Sequence, residues 1–458
     1  MTTAFASLPL SAAMLANLDA LGYAEMTPIQ AQSLPVILKG MDLIAQAKTG
    51  SGKTAAFGIG LLAPLNPRFF GCQALVLCPT RELADQVAKE LRRLARAADN
   101  IKILTLCGGV PFGPQIGSLE HGAHIIVGTP GRVQEHLKKG TLKLDGLNTL
   151  VLDEADRMLD MGFYDSIAEI LGQTPEKRQT LLFSATYPAG IKQLSAAFMR
   201  NPQQVKAEAL HDDAQIEQRF YEIAPDQRLD AVLKLLASFR PASCVAFCFT
   251  KQQCQEVVDH LTAHGISAAA LNGDLEQRDR DQVLAMFANR SLSVLVATDV
   301  AARGLDIDAL DMVINIELAR DAEIHIHRVG RTGRAGAKGM AMSLVAPPEA
   351  HRAQAIETLQ KAPLSWYPLG GLKAASGEPL QPPMVTLCIA AGRKDKVRPG
   401  DILGALTGEA GIPGSQVGKI ALFDHQAYVA VERSIAKQAL KRLGEGKIKG
   451  RSIRVRPL

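Results

Sequence analysis

The chain has 458 residues, 47% hydrophobic and 21% charged, which is a globular composition with material for about three domains. Its formal net charge of +5 is unevenly spread: residues 384–458 hold 14 Lys and Arg against 6 Asp and Glu, and the remainder holds 37 against 40. These figures exclude whole-chain disorder and point the basic tail toward a polyanion, although a solvated basic face with no ligand would carry the same charge.

The first residues, MTTAFASLPLSAAML, have no basic stretch ahead of their apolar ones and make a poor signal peptide. No run of about 18 apolar residues suggests a membrane span, so a cytoplasmic protein without membrane contact is expected. MDLIA reads as a short strand leading into AQAKTGSGKTAAF (45–57). The phosphate-loop pattern is Gly-x-x-x-x-Gly-Lys-Ser/Thr; here Ala47 replaces the first glycine and Gly52-Lys53-Thr54 complete it. Glycines at 50 and 52 let the loop Thr49-Gly50-Ser51-Gly52 curl its N–H groups toward phosphate oxygens. Lys53 can reach the β- and γ-phosphates of ATP, Thr54 can ligate Mg²⁺, and the following helix directs its positive end at the same place. A glycine-rich surface turn would look similar, but it would not need a strand before and a helix after.

ALVLCPT (74–80), HIIVGTP (124–130), TLVLDEA (149–155) and TLLFSAT (180–186) read as buried strands, each ending at a polar residue, with amphipathic helices between them. This alternation predicts a parallel sheet covered on both faces, with ligands gathered at the carboxyl ends of its strands. Asp153 and Glu154 fall at one such end. A carboxylate there can hold Mg²⁺, directly or through water, and its neighbour can position and deprotonate an attacking water.

The pattern restarts after about residue 212 with SCVAFCFT (243–250), ISAAALNGD (266–274), LSVLVATDV (292–300) and DMVINIEL (311–318). The expected organisation is a first α/β domain over 1–207, a second over 213–360, a Pro- and Gly-rich linker over 361–383, and a third unit over 384–458. Within the linker, Trp366 and Tyr367 could pack on the second domain. The third unit reads βαββαβ, the split βαβ plan used by RNA-recognition modules. Seven cysteines, at 72, 78, 107, 244, 248, 254 and 388, form no Cys-x-x-Cys pair and are expected to be buried thiols.

With Asp153-Glu154-Ala155-Asp156 in place, residues 5–345 resemble DEAD-box RNA helicases, with the family's motifs in order. The resemblance implies two tandem RecA-like domains, RNA-stimulated ATP hydrolysis and non-processive unwinding of short RNA duplexes. It makes GYAEMTPIQ an adenine-reading motif: Gln30 reads the base, a task its carboxamide suits, Thr27 supports it, and Tyr23 or Phe5 stacks on the ring. Pro79-Thr80-Arg81, Gly108-Gly109 and Thr129-Pro130-Gly131-Arg132 correspond to RNA-contacting motifs, which would grip the sugar-phosphate backbone and carry little base information. Ser184-Ala185-Thr186 corresponds to the motif coupling hydrolysis to strand separation, through hydroxyls that could bond Asp156. In the second domain, Thr298 and Asp299 through Arg303, Gly304 and Asp306 correspond to a motif touching RNA and the nucleotide ribose, and Gln277 and Arg280 to a further RNA contact. His327 through Arg334 corresponds to the arginine-finger motif, with Arg331 and Arg334 as the fingers and His327 in coupling. Catalysis would then need Lys53, Thr54, Asp153 and Glu154 from one domain and the fingers from the other, so that RNA and ATP favour the same closed state.

Three positions depart from the family pattern: Phe249, Asn272 and His325, read as strand-end or surface positions of the second domain. The C-terminal unit looks like an RRM but lacks its sheet-face aromatics apart from Tyr428, which makes base stacking across the sheet doubtful. Its basic residues include Arg393, Lys394, Lys396, Arg398, Lys419, Lys447, Lys449, Arg451, Arg454 and Arg456. This arrangement is similar to the DbpA-type bacterial helicases, which implies a 23S rRNA hairpin as target and a role in large ribosomal subunit assembly, with the enzyme acting as a monomer. A general RNA remodeller, a DNA-directed translocase and a non-catalytic RNA clamp remain the competing readings.

Overall fold

The computed structural model describes residues 3–47, 50–207, 216–302, 310–333, 338–373, 380–408 and 411–458. The described chain divides into two compact units, the first running to residue 207 and the second beginning at residue 216.

In the first unit, β1 (Leu43–Gln46), β2 (Ala74–Leu77), β3 (Ile103–Leu106), β4 (Ile125–Gly128), β5 (Thr149–Leu152), β6 (Gln179–Ser184) and β7 (Gln203–Lys206) form one sheet in the order β3-β4-β2-β5-β6-β1-β7. All its pairings are parallel. ALVL, IIVG and TLVL are buried at every position because helices cover both faces, which is why they lack the alternation of a half-exposed strand. One cover is the helix Arg81–Leu94. It starts at Thr80, whose hydroxyl accepts from Leu83 N at 3.3 Å, and it buries Leu83, Ala84, Val87, Ala88, Leu91 and Leu94 at helical spacing. Glu82 in its first turn and Arg92 and Arg93 in its last suit the helix dipole.

In the second unit, β8 (Ile216–Glu222), β9 (Cys244–Cys248), β10 (Ala268–Leu271), β11 (Val294–Thr298), β12 (Met312–Asn315), β13 (Gly339–Val345) and β14 (Trp366–Tyr367) make a second parallel sheet, ordered β10-β11-β9-β12-β13-β8-β14. Part of the segment expected as a linker is thus an edge strand. Trp366 lies 5.7 Å from Phe220 and Tyr367 lies 6.2 Å from Tyr221 between ring centres.

The same unit contains β15 (Met384–Ile389), β16 (Val417–Leu422), β17 (Ala427–Glu432) and β18 (Val455–Pro457), an antiparallel sheet ordered β16-β17-β15-β18. Leu387, Ile389, Val429 and Val431 on one face pack with the helices Pro399–Thr407 and Ala436–Glu445. The alternate residues Cys388 and Tyr428 face the other way, and they are buried with Ala285 of the helix Gln277–Ala288. Thr386 on that face is also sealed: Asn289 Nδ2 donates to its hydroxyl at 2.8 Å, and its Oγ1 lies 2.5 Å from Ser291 Oγ. The face that an RNA-recognition module would offer to bases is therefore closed by the neighbouring parallel-sheet domain. All seven cysteines are free and buried, and no described helix is long and apolar enough to cross a membrane.

Candidate nucleotide and RNA sites

The first sheet separates its chemistry by strand. β1, β5 and β6 end in the phosphate loop, the acidic pair and Ser184-Ala185-Thr186, whereas β2, β3 and β4 end in the three segments expected to touch RNA. Ala47 N donates to Ser184 O at 3.0 Å, and Asp153 N to Leu77 O at 3.0 Å, so each motif is fixed by one more rung of the ladder.

Gly52 has φ +93°, a left-handed conformation that glycine adopts without strain, and it caps the helix Lys53–Leu62. A Cβ there would also come within 2.6 Å of Gln30 Nε2. Gln30 is buried, donates Nε2 to Gly52 O at 3.1 Å and accepts from Thr27 N at 2.9 Å, while the Thr27 hydroxyl donates to Ser51 O at 2.8 Å. Both ends of the Gln30 carboxamide are thus engaged within the chain, holding the phosphate loop. Tyr23 donates its hydroxyl to Glu90 at 2.5 Å and meets Phe5 edge-on at 6.1 Å; Phe5 is buried in an apolar cluster with Leu8, Met14 and Leu18. Lys53 is buried with Nζ on Ala47 O at 3.0 Å, and the Ser51 hydroxyl is buried without a partner among the described residues. Thr54 follows in the first turn of the helix, and Gly50 has φ +80°. Thr49 lies outside the described residues.

Asp153 is 2% exposed. Burial pushes its carboxyl up to about 6, against the opposing pull of Lys53. Its Oδ1 accepts from Glu154 N at 3.0 Å. Glu154 takes a left-handed φ of +51° at the strand end and pairs through Oε2 with Arg157 Nη1 at 2.9 Å, both side chains being buried. Arg157 escaped the sequence reading, although its i, i+3 spacing from Glu154 was available. Asp156 Oδ2 accepts from Thr186 N at 3.0 Å and Thr186 Oγ1 at 2.9 Å. Burial opposes its ionisation, yet Thr186, Lys53 and Arg157 together hold its carboxyl below the usual range. The expected bond from Ser184 is not made: its hydroxyl is buried and has no partner among the described residues. No cluster of three metal-ligating side chains exists among the described residues. A buried carboxylate within reach of the Lys53 charge fits Mg²⁺ that arrives with nucleotide phosphates, because that ion keeps waters and takes few protein ligands.

At the β2–β4 ends, Thr80 and Thr129 cap helices, Pro79 precedes the first cap, and Pro130 and Gly131 open the second helix. Gly109, at φ +71°, lies under the Arg81 guanidinium, where a Cβ would overlap it, while Gly108 has open space. Arg81 Nη1 is buried without a partner among the described residues, a donor suited to a phosphate oxygen. A cavity of about 810 Å³ lies at the opposite, amino-terminal ends of β1, β5 and β6, lined by Asp42, Thr149 and Gln179, and contains none of these groups.

In the second unit, Asp299 is gripped by Arg328, with Nε–Oδ1 at 2.6 Å and Nη2–Oδ2 at 2.7 Å, and Arg328 also bonds Asn315 and Glu317 O. Thr298 Oγ1 accepts from Ala301 N at 3.4 Å, Arg280 Nη2 donates to Ala301 O at 2.8 Å, and Gln277 donates to Asp281 at 2.7 Å. His327 is half-buried on the helix Ala322–Val329, and Arg331 is buried just beyond it. Arg303, Gly304, Asp306 and Arg334 lie outside the described residues. His325, expected at the surface, is instead fully buried against Phe220, and burial pushes its imidazole down to about 3. A neutral ring can replace a larger aromatic there without placing a charge in the core. Phe249 is half-buried, with the guanidinium carbons of Arg320, Arg328 and Arg352 between 5.1 and 5.9 Å from its ring centre. Asn272 accepts from Asp274 N at 3.0 Å.

In the C-terminal domain, Arg393, Lys394, Lys396, Arg398, Lys447, Lys449 and Arg451 are all exposed. Two loops carry them, and Lys449 Nζ joins these loops by donating to Lys396 O at 2.6 Å, with Val397 and Ile448 anchored in the core beneath.

Three family models match in succession: DEAD/DEAH box helicase over residues 27–194, helicase conserved C-terminal domain over 227–336, and DbpA RNA binding domain over 386–457. The chain is 56% identical over 458 residues to the ATP-dependent RNA helicase DbpA of Escherichia coli (strain K12), covering all of both chains. It is 44% identical over 362 residues to the DEAD-box ATP-dependent RNA helicase CshA of Bacillus subtilis (strain 168), covering 79% of this chain and 73% of that one. Among solved structures, S. cerevisiae Dbp5 bound to RNA and ADP BeF3 superposes with a TM-score of 0.73 at 29% identity, covering 80% of this chain and 96% of the other. The family match, the tandem parallel sheets and the DbpA-type tail agree: the chain belongs to the DEAD-box ATP-dependent RNA helicases, as a DbpA-type member.

Proposed function

We propose that this RNA helicase is an RNA-stimulated ATPase that opens short duplexes non-processively. We further propose that its C-terminal domain directs it to a 23S rRNA hairpin during large ribosomal subunit assembly in the cytoplasm. One observation carries the targeting: the sheet face is closed, while two stitched loops expose Arg393, Lys394, Lys396, Arg398, Lys447, Lys449 and Arg451 together. A rigid cationic ridge matches the phosphates of a folded RNA better than it matches unstacked bases.

In this reading Lys53 and the loop around Ser51 hold the β- and γ-phosphates, with Gln30, Thr27, Tyr23 and Phe5 framing the adenine. Gln30 then exchanges its bond to Gly52 O for the base, so nucleotide arrival is felt by the phosphate loop. Asp153 and Thr54 would hold magnesium, partly through water, and the ion would supply neutralising charge. Glu154 orients and deprotonates the attacking water, with Arg157 fixing its carboxylate. Arg331 and Arg334 stabilise charge on the transferring phosphoryl group. Asp156 and Thr186 link that chemistry to the strand ends that grip RNA through Arg81, Gly109 and Arg132, while Gln277, Arg280, Thr298 and Arg303 grip it from the second unit.

The test compares ATP turnover stimulated by a 23S rRNA fragment carrying the hairpin with turnover stimulated by an unstructured RNA. Replacing Lys447, Lys449 and Arg451 together with Ala should abolish the preference and leave stimulation by excess unstructured RNA. Substitution is preferable to truncation, since removing the domain would uncover Ala285 and strand Asn289 and Ser291. A preference that survives the triple change would favour a general RNA remodeller, and equal stimulation by DNA of the same sequence would favour a DNA translocase.

A further inference from the structure

The Gly108-Gly109 turn and the Thr129-Arg132 segment leave different strands, yet one buried side chain joins them. Gln115 sits on the helix Phe112–Glu120 and is 7% exposed. Its Nε2 donates to Cys107 O at 3.0 Å. Its Oε1 accepts from Arg132 Nη1 at 2.8 Å and lies 2.9 Å from His136 Nε2. Arg132 Nη1 also donates to Val110 O at 3.1 Å. Both flanks of the glycine turn, Cys107 and Val110, are therefore tied to the Gln115–Arg132 pair.

The backing of this pair is also fixed. His136 is fully buried, and burial pushes its ring down to about 4, ahead of the repulsion from Arg132. A neutral ring has one N–H, and Oε1 of a carboxamide can only accept, so the proton sits on Nε2. Its Nδ1 then faces Thr141 Oγ1 at 2.8 Å. Phe112 stacks on the ring at 4.1 Å and 16°, capped by Lys139 Nζ at 4.1 Å. Arg132 Nε pairs with Glu135 at 3.1 Å. Nη2 is left without a partner among the described residues, on a side chain only 12% exposed.

We infer that Gln115, oriented by neutral His136, is a positioning residue for RNA. It locks the glycine turn and Arg132 into one arrangement, so that Nη2 and the turn's backbone meet the polynucleotide with no further ordering. A long cationic side chain that must be immobilised at binding weakens affinity, and one already immobilised does not. The inference rests on the proposal that Arg132 and Gly108-Gly109 grip RNA.

The experiment measures ATP turnover against the concentration of a 23S rRNA fragment, in the full-length wild type, Gln115→Leu, Arg132→Ala and the double variant. Gln115→Leu should raise the half-saturating RNA concentration about ten-fold, since hydrogen bonds to charged groups have effects of that order, while keeping turnover at saturating RNA. In the double variant the half-saturation should match that of Arg132→Ala alone, because both changes remove one arrangement. Multiplicative losses in the double variant, or an unshifted half-saturation in Gln115→Leu, would overturn the positioning role. An unshifted Arg132→Ala would instead bring down the RNA-contact reading beneath it. Should Gln115→Leu fail to fold, His136→Asn carries the same test, with a shift in the same direction of about three-fold for a neutral bond.

Discussion

Replacing Asp153 with Asn should stabilise the first unit while destroying the enzyme. The carboxyl is 2% exposed and lifted from 3.8 to about 6 by burial, so ionising it in place at pH 7.5 costs about 3 kcal/mol relative to the unfolded chain. Asn keeps the acceptor that meets Glu154 N and carries no charge to desolvate. The sign follows from the raised value: the folded state holds the proton more tightly, so the wild type loses stability as pH rises from about 4 through about 6. The advantage of Asp153→Asn should therefore be about 3 kcal/mol at pH 7.5 and about half that at pH 5. The one tryptophan, Trp366, lies in the second unit and cannot report on the first. Amide exchange in β1, β5 and β6, without nucleotide, reports opening of the first unit directly, and variant and wild type compared at one pH share intrinsic rates. Equal protection in both proteins at pH 7.5, or an advantage that grows toward pH 5, would refute the claim that burial makes the ionised Asp153 carboxylate costly.

Other consequences are simpler to check. Thr186→Ala removes one of the two bonds from Thr186 to Asp156, worth about 1–2 kcal/mol to a charged partner; unwinding per ATP hydrolysed should fall while nucleotide affinity stays within about two-fold, and an unchanged ratio would separate Thr186 from coupling. Gly109→Ala should displace Arg81 and raise half-saturating RNA in the turnover assay, at about 1 kcal/mol in stability for the left-handed backbone alone. His325, pushed down to about 3, should show imidazole resonances that do not move between pH 5 and pH 8; titration in that range would contradict its burial.

How much of this was legible beforehand depends on the range of the interaction. The phosphate loop, the acidic strand end and the strand series were readable because each is a local pattern: apolar runs bounded by polar residues, and glycines at a fixed offset from Lys53. The βαββαβ order of the tail was readable for the same reason, and so was the scarcity of sheet-face aromatics. Gln115 gave no signal at all. Nothing in FGPQIGSLE distinguishes a solvent-facing glutamine from one that accepts simultaneously from Arg132 and His136.

Sequence by itself determined which residues share a strand end or a helix face, since the two-residue and 3.6-residue periods fix that before any tertiary contact forms. Tertiary structure alone decided what covers each face. It placed the helix Gln277–Ala288 over Cys388 and Tyr428 and the turn after it over Thr386, buried His325, engaged both ends of the Gln30 carboxamide, and left the Ser184 hydroxyl without a partner among the described residues. The reason is physical: periodicity is a property of the backbone, whereas the partner of a face is chosen by packing among segments far apart in the chain, as Asn289 and Thr386 are.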